Sequence, residues 1–180
     1  MDSGRTPSDG PASPAVGEGL PWFALYVKSR QERTVEGGLA RLGLGTYLPM
    51  MEKVRKWSDR KKVVRVPYFP GYVFVRCTEE ERGLAWKLPG SIRYLGAEGR
   101  ATPVDPRELE AVREALLRRV PFEPYPHLAP GQPVTVTAGA LKGLTGILVG
   151  KRRNFRLVLQ IRAMGQGIAA EVDATDVEPI

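Results

Sequence analysis

Apolar residues along this chain alternate between short strand-like clusters and helical stripes up to about residue 117, and beyond that they occur in short clusters alone. Trp22-Phe-Ala-Leu-Tyr-Val27 is aromatic and partly β-branched, which suits a strand buried on at least one face. Ser29 with Glu32 three residues on forms a capping-box pattern, and Val35, Leu39 and Leu42 recur at helical spacing until Gly43. This predicts a helix over 30–42. Thr46 to Leu48 reads as a second strand, closed by Pro49. Val66 to Arg76 returns to β-forming residues and is interrupted by Phe69-Pro-Gly71, which predicts one strand that begins through a tight bend. Thr78 and the three glutamates after it repeat the capping logic and open a short helix, about 79–87, that ends before Pro89. Ile92 to Leu95 is a further candidate strand. Asp105-Pro106 with Glu108 opens a helix carrying Leu109, Val112 and Leu116 on one face.

The punctuation then changes. Pro121, Pro124, Pro126 and Pro130 cannot sustain a helix and predict a semi-stiff linker over 120–129. From Gly131 the runs Val134–Thr137, Gly146–Val149, Phe155–Ile161 and Ile168–Val172 follow one another through glycine-containing turns, a spacing that predicts a small β-barrel. Residues 1–20 are Pro, Gly, Ser and Ala with little to bury, and are expected to form a disordered tail. The expected architecture is therefore a tail (1–20), an α/β domain (21–119), a linker (120–129) and a barrel domain (130–180).

Charge adds a polarity to this layout. The formal net charge is +7, and residues 20–119 carry 20 basic against 12 acidic side chains while residues 130–180 carry 6 against 4. Much of the excess lies at 52–65, where Lys53, Arg55, Lys56, Arg60, Lys61, Lys62 and Arg65 surround Trp57-Ser58-Asp59 in what reads as a basic hairpin. Such a footprint suits a polyanion, although a solvated charged face has the same composition. One cysteine, Cys77, and one histidine, His127, leave no internal disulfide and no His/Cys cluster for a metal. No apolar run approaches the roughly 20 residues that span a bilayer, and a cytoplasmic, monomeric protein without cofactor is the expectation. An enzyme has little support, with no P-loop and no paired acids in a context for acid/base work. Gly165-Gln-Gly167-Ile-Ala-Ala170 imitates a dinucleotide fingerprint but precedes no long helix, so it reads as a turn.

Three motifs in order, Trp22 to Val27, Phe69-Pro-Gly-Tyr-Val-Phe-Val75 and Gly139-Ala-Leu-Lys-Gly-Leu-Thr-Gly146, resemble the NusG family over residues 20–180. The resemblance implies an α+β protein: an N-terminal α/β sandwich (NGN domain) with an antiparallel sheet flanked by helices, then a five-stranded SH3-like KOW barrel. The stretches Leu25–Arg30 and Trp57–Lys62 look like the specialised antitermination paralogues of the RfaH and UpxY type. The implied function is bacterial transcription elongation or antitermination. The first domain would bind the clamp helices of the RNA polymerase β' subunit, and the barrel would recruit either NusE, a ribosomal protein, or the termination factor Rho.

Docking on helices needs exposed aromatic anchors, and Tyr26, Phe69, Tyr72 and Phe74 are the candidates, with sheet core as the other reading of the same residues. Pro70 and Gly71 would shape that patch. By resemblance the start of the first helix, with Lys28, Arg30, Gln31 and Arg33, faces the non-template DNA strand, although a solvated helix face would look the same. The basic stretch Lys53, Arg55, Lys56, Arg60, Lys61 and Lys62 would contact phosphates, with Trp57 stacking on a base or pinning the hairpin. A second polymerase contact implied by the RfaH type needs a Thr-rich patch, where this chain offers only Thr78 and acids. In the barrel, Gly139, Lys142, Gly143 and Gly146 form the KOW motif, and Lys151, Arg152, Arg153 and Arg156 a charged turn that binds RNA or nothing. Val134–Thr137 favours strand over a refolded helical hairpin. The rival reading is a ribosome-associated or RNA-binding KOW protein that never touches the polymerase.

Overall fold

The computed structural model describes residues 19–56, 61–97, 100–118, 120–127, 131–151 and 154–180. The tail expected over 1–20 lies outside them but for its last two residues, as do Trp57, Arg60, Arg152 and Arg153. The chain forms a mixed α/β fold with antiparallel sheets and three α-helices among the described residues.

Strand β1 (Trp22–Val27) leads into helix α1 (Glu32–Arg41) and a short strand β2 (Gly45–Tyr47). A hairpin, β3 (Met50–Lys56) and β4 (Lys61–Pro67), stands apart as its own two-stranded sheet. Strand β5 (Tyr72–Arg76), helix α2 (Glu79–Trp86) and strand β6 (Ser91–Tyr94) follow, then three two-residue strands, β7 (Gly96–Ala97), β8 (Arg100–Ala101) and β9 (Pro103–Val104), and helix α3 (Pro106–Leu117). The main N-terminal sheet runs β2-β5-β1-β6, with β9 also pairing to β1.

Because side chains alternate across a strand, β1 serves two cores at once. Phe23, Leu25 and Val27 join Val73 and Val75 of β5 beneath Val35 and Leu39 of α1 and Ala85 of α2. Ala24 and Phe74, paired across the same ladder, face Leu109, Val112 and Ala115 of α3. The helices therefore sandwich the sheet.

Local chemistry explains where the helices start. Thr78 caps α2 with a complete capping box: Glu81 N–H donates to the Thr78 hydroxyl at 3.2 Å, and Thr78 N–H donates to the Glu81 carboxylate at 2.8 Å. Asp105 caps α3 by accepting from Arg107 N–H at 2.8 Å, with Pro106 in the first turn. Helix α1 departs from its expected capping box. Its N-cap is Gln31, which makes no side-chain cap bond, because Glu32 is drawn inward to a different partner. Likewise the single strand expected over 66–76 is two: Val66 and Pro67 complete the basic hairpin, and the Phe69–Gly71 bend separates them from β5.

The C-terminal sheet contains β10 (Glu123–Tyr125), β11 (Gln132–Val136), β12 (Thr145–Lys151), β13 (Asn154–Ile161), β14 (Gln166–Glu171) and β15 (Val177–Pro179), in the order β10-β14-β13-β12-β11-β15. Among the described residues this sheet has six strands where the resemblance implies five, since part of the stretch expected as a linker pairs with β14. Pro124 fits there because an edge strand keeps one side free of ladder bonds. Phe122 is buried, and Arg156 reaches back to Glu123 at 2.5 Å. Gly165, in the expected turn, closes a short 3-10 segment with φ 66°.

The two sheets meet at α3. Arg162 donates to the Glu108 carboxylate through its backbone N–H at 3.0 Å and its Nε at 2.6 Å, while Arg118 donates to the Lys142 carbonyl at 2.7 Å. One buried apolar cluster runs from Phe74 and Val112 through Phe122 to Leu157 and Ile161.

Burial also sets an alkaline limit. It pushes the Cys77 thiol up to about 11 from 9.0 and the Tyr47 hydroxyl up to about 12 from 10.0, the latter despite the nearby Arg113. Both groups ionise more easily in the unfolded chain, so their contribution is intact below about pH 9 and is lost as pH rises through 11 and 12. Urea denaturation between pH 7 and 11 is expected to show constant stability up to about pH 9 and a fall above it. A rise in stability above pH 9 would contradict the burial of these groups.

Candidate functional site

The aromatic motif and the basic loop meet at one end of the N-terminal sheet. Tyr26 of β1 lies directly opposite Tyr72 of β5, and their rings stand 5.2 Å apart at a tilt of 51°. Both are half-buried, and Tyr72 packs against the buried cluster that Phe74 shares with the inner face of α3. Arg93, opposite Tyr26 on the other neighbouring strand, places its guanidinium 5.8 Å from the Tyr26 ring. An aromatic pair bordered by a cation is the result.

Phe69 and Phe74 lie deeper than that half-buried pair. They are 1% and 0% exposed, their rings meet edge to face at 5.6 Å, and they belong to the core under α3. Phe74 follows from alternation, since it shares the face of Tyr72 but sits two residues farther along the strand, under the helix. Tyr47 stacks against it from β2, with the Arg113 guanidinium 4.8 Å from the Tyr47 ring. The two phenylalanines thus support the patch from beneath.

The bend at Phe69–Gly71 is fixed from the helix side. Glu32, 6% exposed, accepts the Gly71 N–H at 2.9 Å, and Val27 N–H donates to the Gly71 carbonyl at 2.8 Å. Gly71 has φ 81°, and a Cβ there would stand 3.0 Å from the Tyr26 ring. Only glycine combines that backbone with that approach. Sequence reading found Glu32 but assigned it to the helix cap, because nothing local reveals an acceptor for an amide 39 residues away.

The basic loop is built next to this bend. Lys28 N–H donates to the Gly90 carbonyl at 2.8 Å, and Gln31 N–H to the Lys28 carbonyl at 3.0 Å. Lys28, Arg30 and Arg33 are exposed and Gln31 is partly buried. Arg30 holds φ 65°, an unusual conformation for a residue with a side chain. Gln31 packs over Gly90, whose bare Cα leaves room for its amide.

The remaining candidates are dispersed. On the basic hairpin, Lys53, Lys61 and Lys62 are exposed, and the backbone register pairs Arg55 with Lys62 and Lys56 with Lys61. Val54 and Val63 pair between them, 60% and 57% exposed. The hairpin tip with Trp57 and Arg60 lies outside the described residues. The hydroxyl of Thr78, the residue available for a second Thr-based contact, is occupied in the helix cap. In the C-terminal sheet, Gly139 and Gly143 take φ 74° and 89° in the turn after β11, Lys142 is exposed between them, and Gly146 pairs with Val134. That turn faces α3 through the Arg118 bond to the Lys142 carbonyl. Among the described residues no group of His, Cys, Asp and Glu is arranged to hold a metal, and no helix is long and apolar enough to cross a membrane.

Glu32→Ala is expected to leave the buried Gly71 N–H without an acceptor and to cost about 1–3 kcal/mol in urea denaturation, with Glu32→Gln closer to wild type because it keeps an acceptor oxygen. Equal stability of all three would remove Glu32 from its place in the bend.

Comparison with known proteins adds the lineage. A family model described as transcription termination factor nusG matches residues 20–113, from β1 into α3. The transcription termination/antitermination protein NusG of Thermus thermophilus is 25% identical over 180 residues, covering 88% of this chain and 97% of that protein. Among solved structures, that of domain interaction in Thermotoga maritima NusG aligns at 20% identity with a TM-score of 0.47, covering 89% of this chain and 97% of the other. The MjSpt4:Spt5 complex in conformation B aligns at 18% identity with a TM-score of 0.30, covering 88% and 96%. The family match takes in more than half of the chain, including every element that forms the tyrosine pair and its bend, and by it the chain belongs to the NusG family of transcription factors.

Proposed function

We propose that this protein is a transcription elongation and antitermination factor of the specialised RfaH/UpxY type, which docks on the clamp helices of bacterial RNA polymerase through Tyr26 and Tyr72. The observation that carries the reading is the half-buried tyrosine pair bordered by Arg93, next to the loop that exposes Lys28, Arg30 and Arg33. Two half-buried rings on a rigid sheet offer contact area at little cost in side-chain entropy, as interface anchors do. Phe69 and Phe74 act by holding the pair in place.

In this arrangement Lys28, Arg30, Gln31 and Arg33 face the non-template DNA strand, and the ribbon with Lys53, Arg55, Lys56, Lys61 and Lys62 neutralises phosphates without reading sequence. The division of labour follows a domain of residues 21–119 and a KOW barrel of residues 130–180, whose Gly139–Gly146 turn recruits NusE or Rho.

Binding of the full chain to bacterial RNA polymerase tests the reading. Tyr26→Ala/Tyr72→Ala is expected to weaken it by at least about tenfold while leaving the fold intact, in keeping with roughly 2 kcal/mol for an aromatic hot spot. Phe74→Ala is expected instead to destabilise the protein by about 3–5 kcal/mol. Failure of the wild type to bind, with retained binding to structured RNA that weakens steeply with salt, would favour the RNA-binding alternative.

A further inference from the structure

Among the described residues Glu32 is the one charged side chain that is buried, 6% exposed at the first position of α1. Its carboxylate accepts the Gly71 N–H at 2.9 Å, across 39 residues of sequence. A carboxyl group withdrawn from water for a backbone amide is a poor source of stability, because desolvation offsets much of what the bond returns. What such a bond supplies is a fixed geometry.

On the loop side the bond stands in for a cap. Helix α1 begins behind Gln31, which makes no side-chain cap bond, so its first turn has no side-chain tie of its own at that position. The loop before it is held at its far end, where Lys28 N–H donates to the Gly90 carbonyl at 2.8 Å, and is closed by Gln31 N–H on the Lys28 carbonyl at 3.0 Å. Between these ends the chain turns, and Arg30 takes up the turn with φ 65°. A residue with a side chain keeps such a backbone where the surrounding structure pins it on both sides. Glu32 is the pin at the helix end.

On the tyrosine side, Gly71 is held from three directions. Its N–H goes to Glu32, its carbonyl accepts Val27 N–H at 2.8 Å, and its Cα lies against Tyr26, so close that a Cβ would stand 3.0 Å from the ring. The next residue is Tyr72, whose ring stands 5.2 Å from that of Tyr26. A shift of Gly71 therefore displaces both tyrosines, one through its chain and one through its ring.

We infer that Glu32 is a positioning residue for two surfaces at once: through Gly71 it sets the loop Lys28–Gln31 and the Tyr26–Tyr72 pair in one fixed relation, so that a partner spanning the two meets a preorganised surface. The inference rests on the reading of the pair as the polymerase contact and of the loop as the side facing the non-template strand. Glu32 itself, being buried, is shielded from both partners.

The test compares wild type, Glu32→Ala and Glu32→Gln as full chains, at a temperature where circular dichroism shows all three folded. Each is bound to bacterial RNA polymerase free of nucleic acid and to an elongation complex whose non-template strand is unpaired. Glu32→Ala is expected to lose roughly fivefold or more in binding to free polymerase, and a similar factor in the additional affinity that the unpaired strand confers. Glu32→Gln, which keeps the acceptor oxygen, is expected to recover most of both. Lost stability alone moves neither quantity in a folded population. Wild-type binding by Glu32→Ala in both assays, a loss in only one, or no recovery in Glu32→Gln would overturn the inference. If the wild type binds no polymerase, or gains nothing from the unpaired strand, the functional reading fails separately. Amide nuclear magnetic resonance spectra of the three chains then decide the positioning. Glu32→Ala is expected to shift the resonances of Lys28–Gln31 and of Gly71–Tyr72 together, and Glu32→Gln to leave both near wild type, while a shift of one side alone or of neither overturns it.

Discussion

The N-terminal unit depends on the position of β1 at the centre of its sheet. This strand bonds to β5 on one side and to β6 and β9 on the other, so neither edge is free to shift. Its alternating side chains serve separate cores, Phe23, Leu25 and Val27 under α1 and α2, and Ala24 under α3. A slip of one residue would place Tyr26 in the helical core and Leu25 among the aromatics, so register and burial enforce each other.

What β1 positions, the contact between Glu32 and Gly71 shapes. A buried carboxylate receiving a backbone amide joins the first turn of α1 to the bend before β5, and so joins the basic loop to the tyrosine pair. The bond is local in space and remote in sequence. It makes one surface of two motifs, one aromatic and one cationic, each of which alone has an ordinary structural explanation. The bulge at Ile92 acts in the same way on the opposite edge of β1, turning an irregular pairing into an anchor for the exposed Trp86 ring.

Helix α3 connects the two sheets. Its inner face covers Ala24 and Phe74, and its ends hold the C-terminal sheet through the Glu108–Arg162 and Arg118–Lys142 contacts. On that face the aromatics are graded in burial: Phe74 and Phe69 lie in the core, Tyr72 and Tyr26 are half-buried.

Much of this was legible in the order of residues. Period and capping chemistry located β1, α2, α3 and the principal C-terminal strands, because hydrophobic alternation, Thr78 with Glu81, and Asp105 with Pro106 act within a few residues of themselves. The same reasoning named the tyrosines and the basic loop. It erred where the partner lay far along the chain. Glu32 fitted a cap by spacing but is claimed by Gly71; Phe69 and Phe74 were open between anchor and sheet core and are core; Pro124 implied a linker, yet its stretch found a free edge on β14. The tie of Trp86 to Ile92 carried no signal at all, since it depends on a bulge in a neighbouring strand. Residue order alone settles most helices and strands and the residue types on offer. Only the tertiary structure decided which of them are exposed together, because burial and backbone pairing are settled by contacts between residues tens of positions apart.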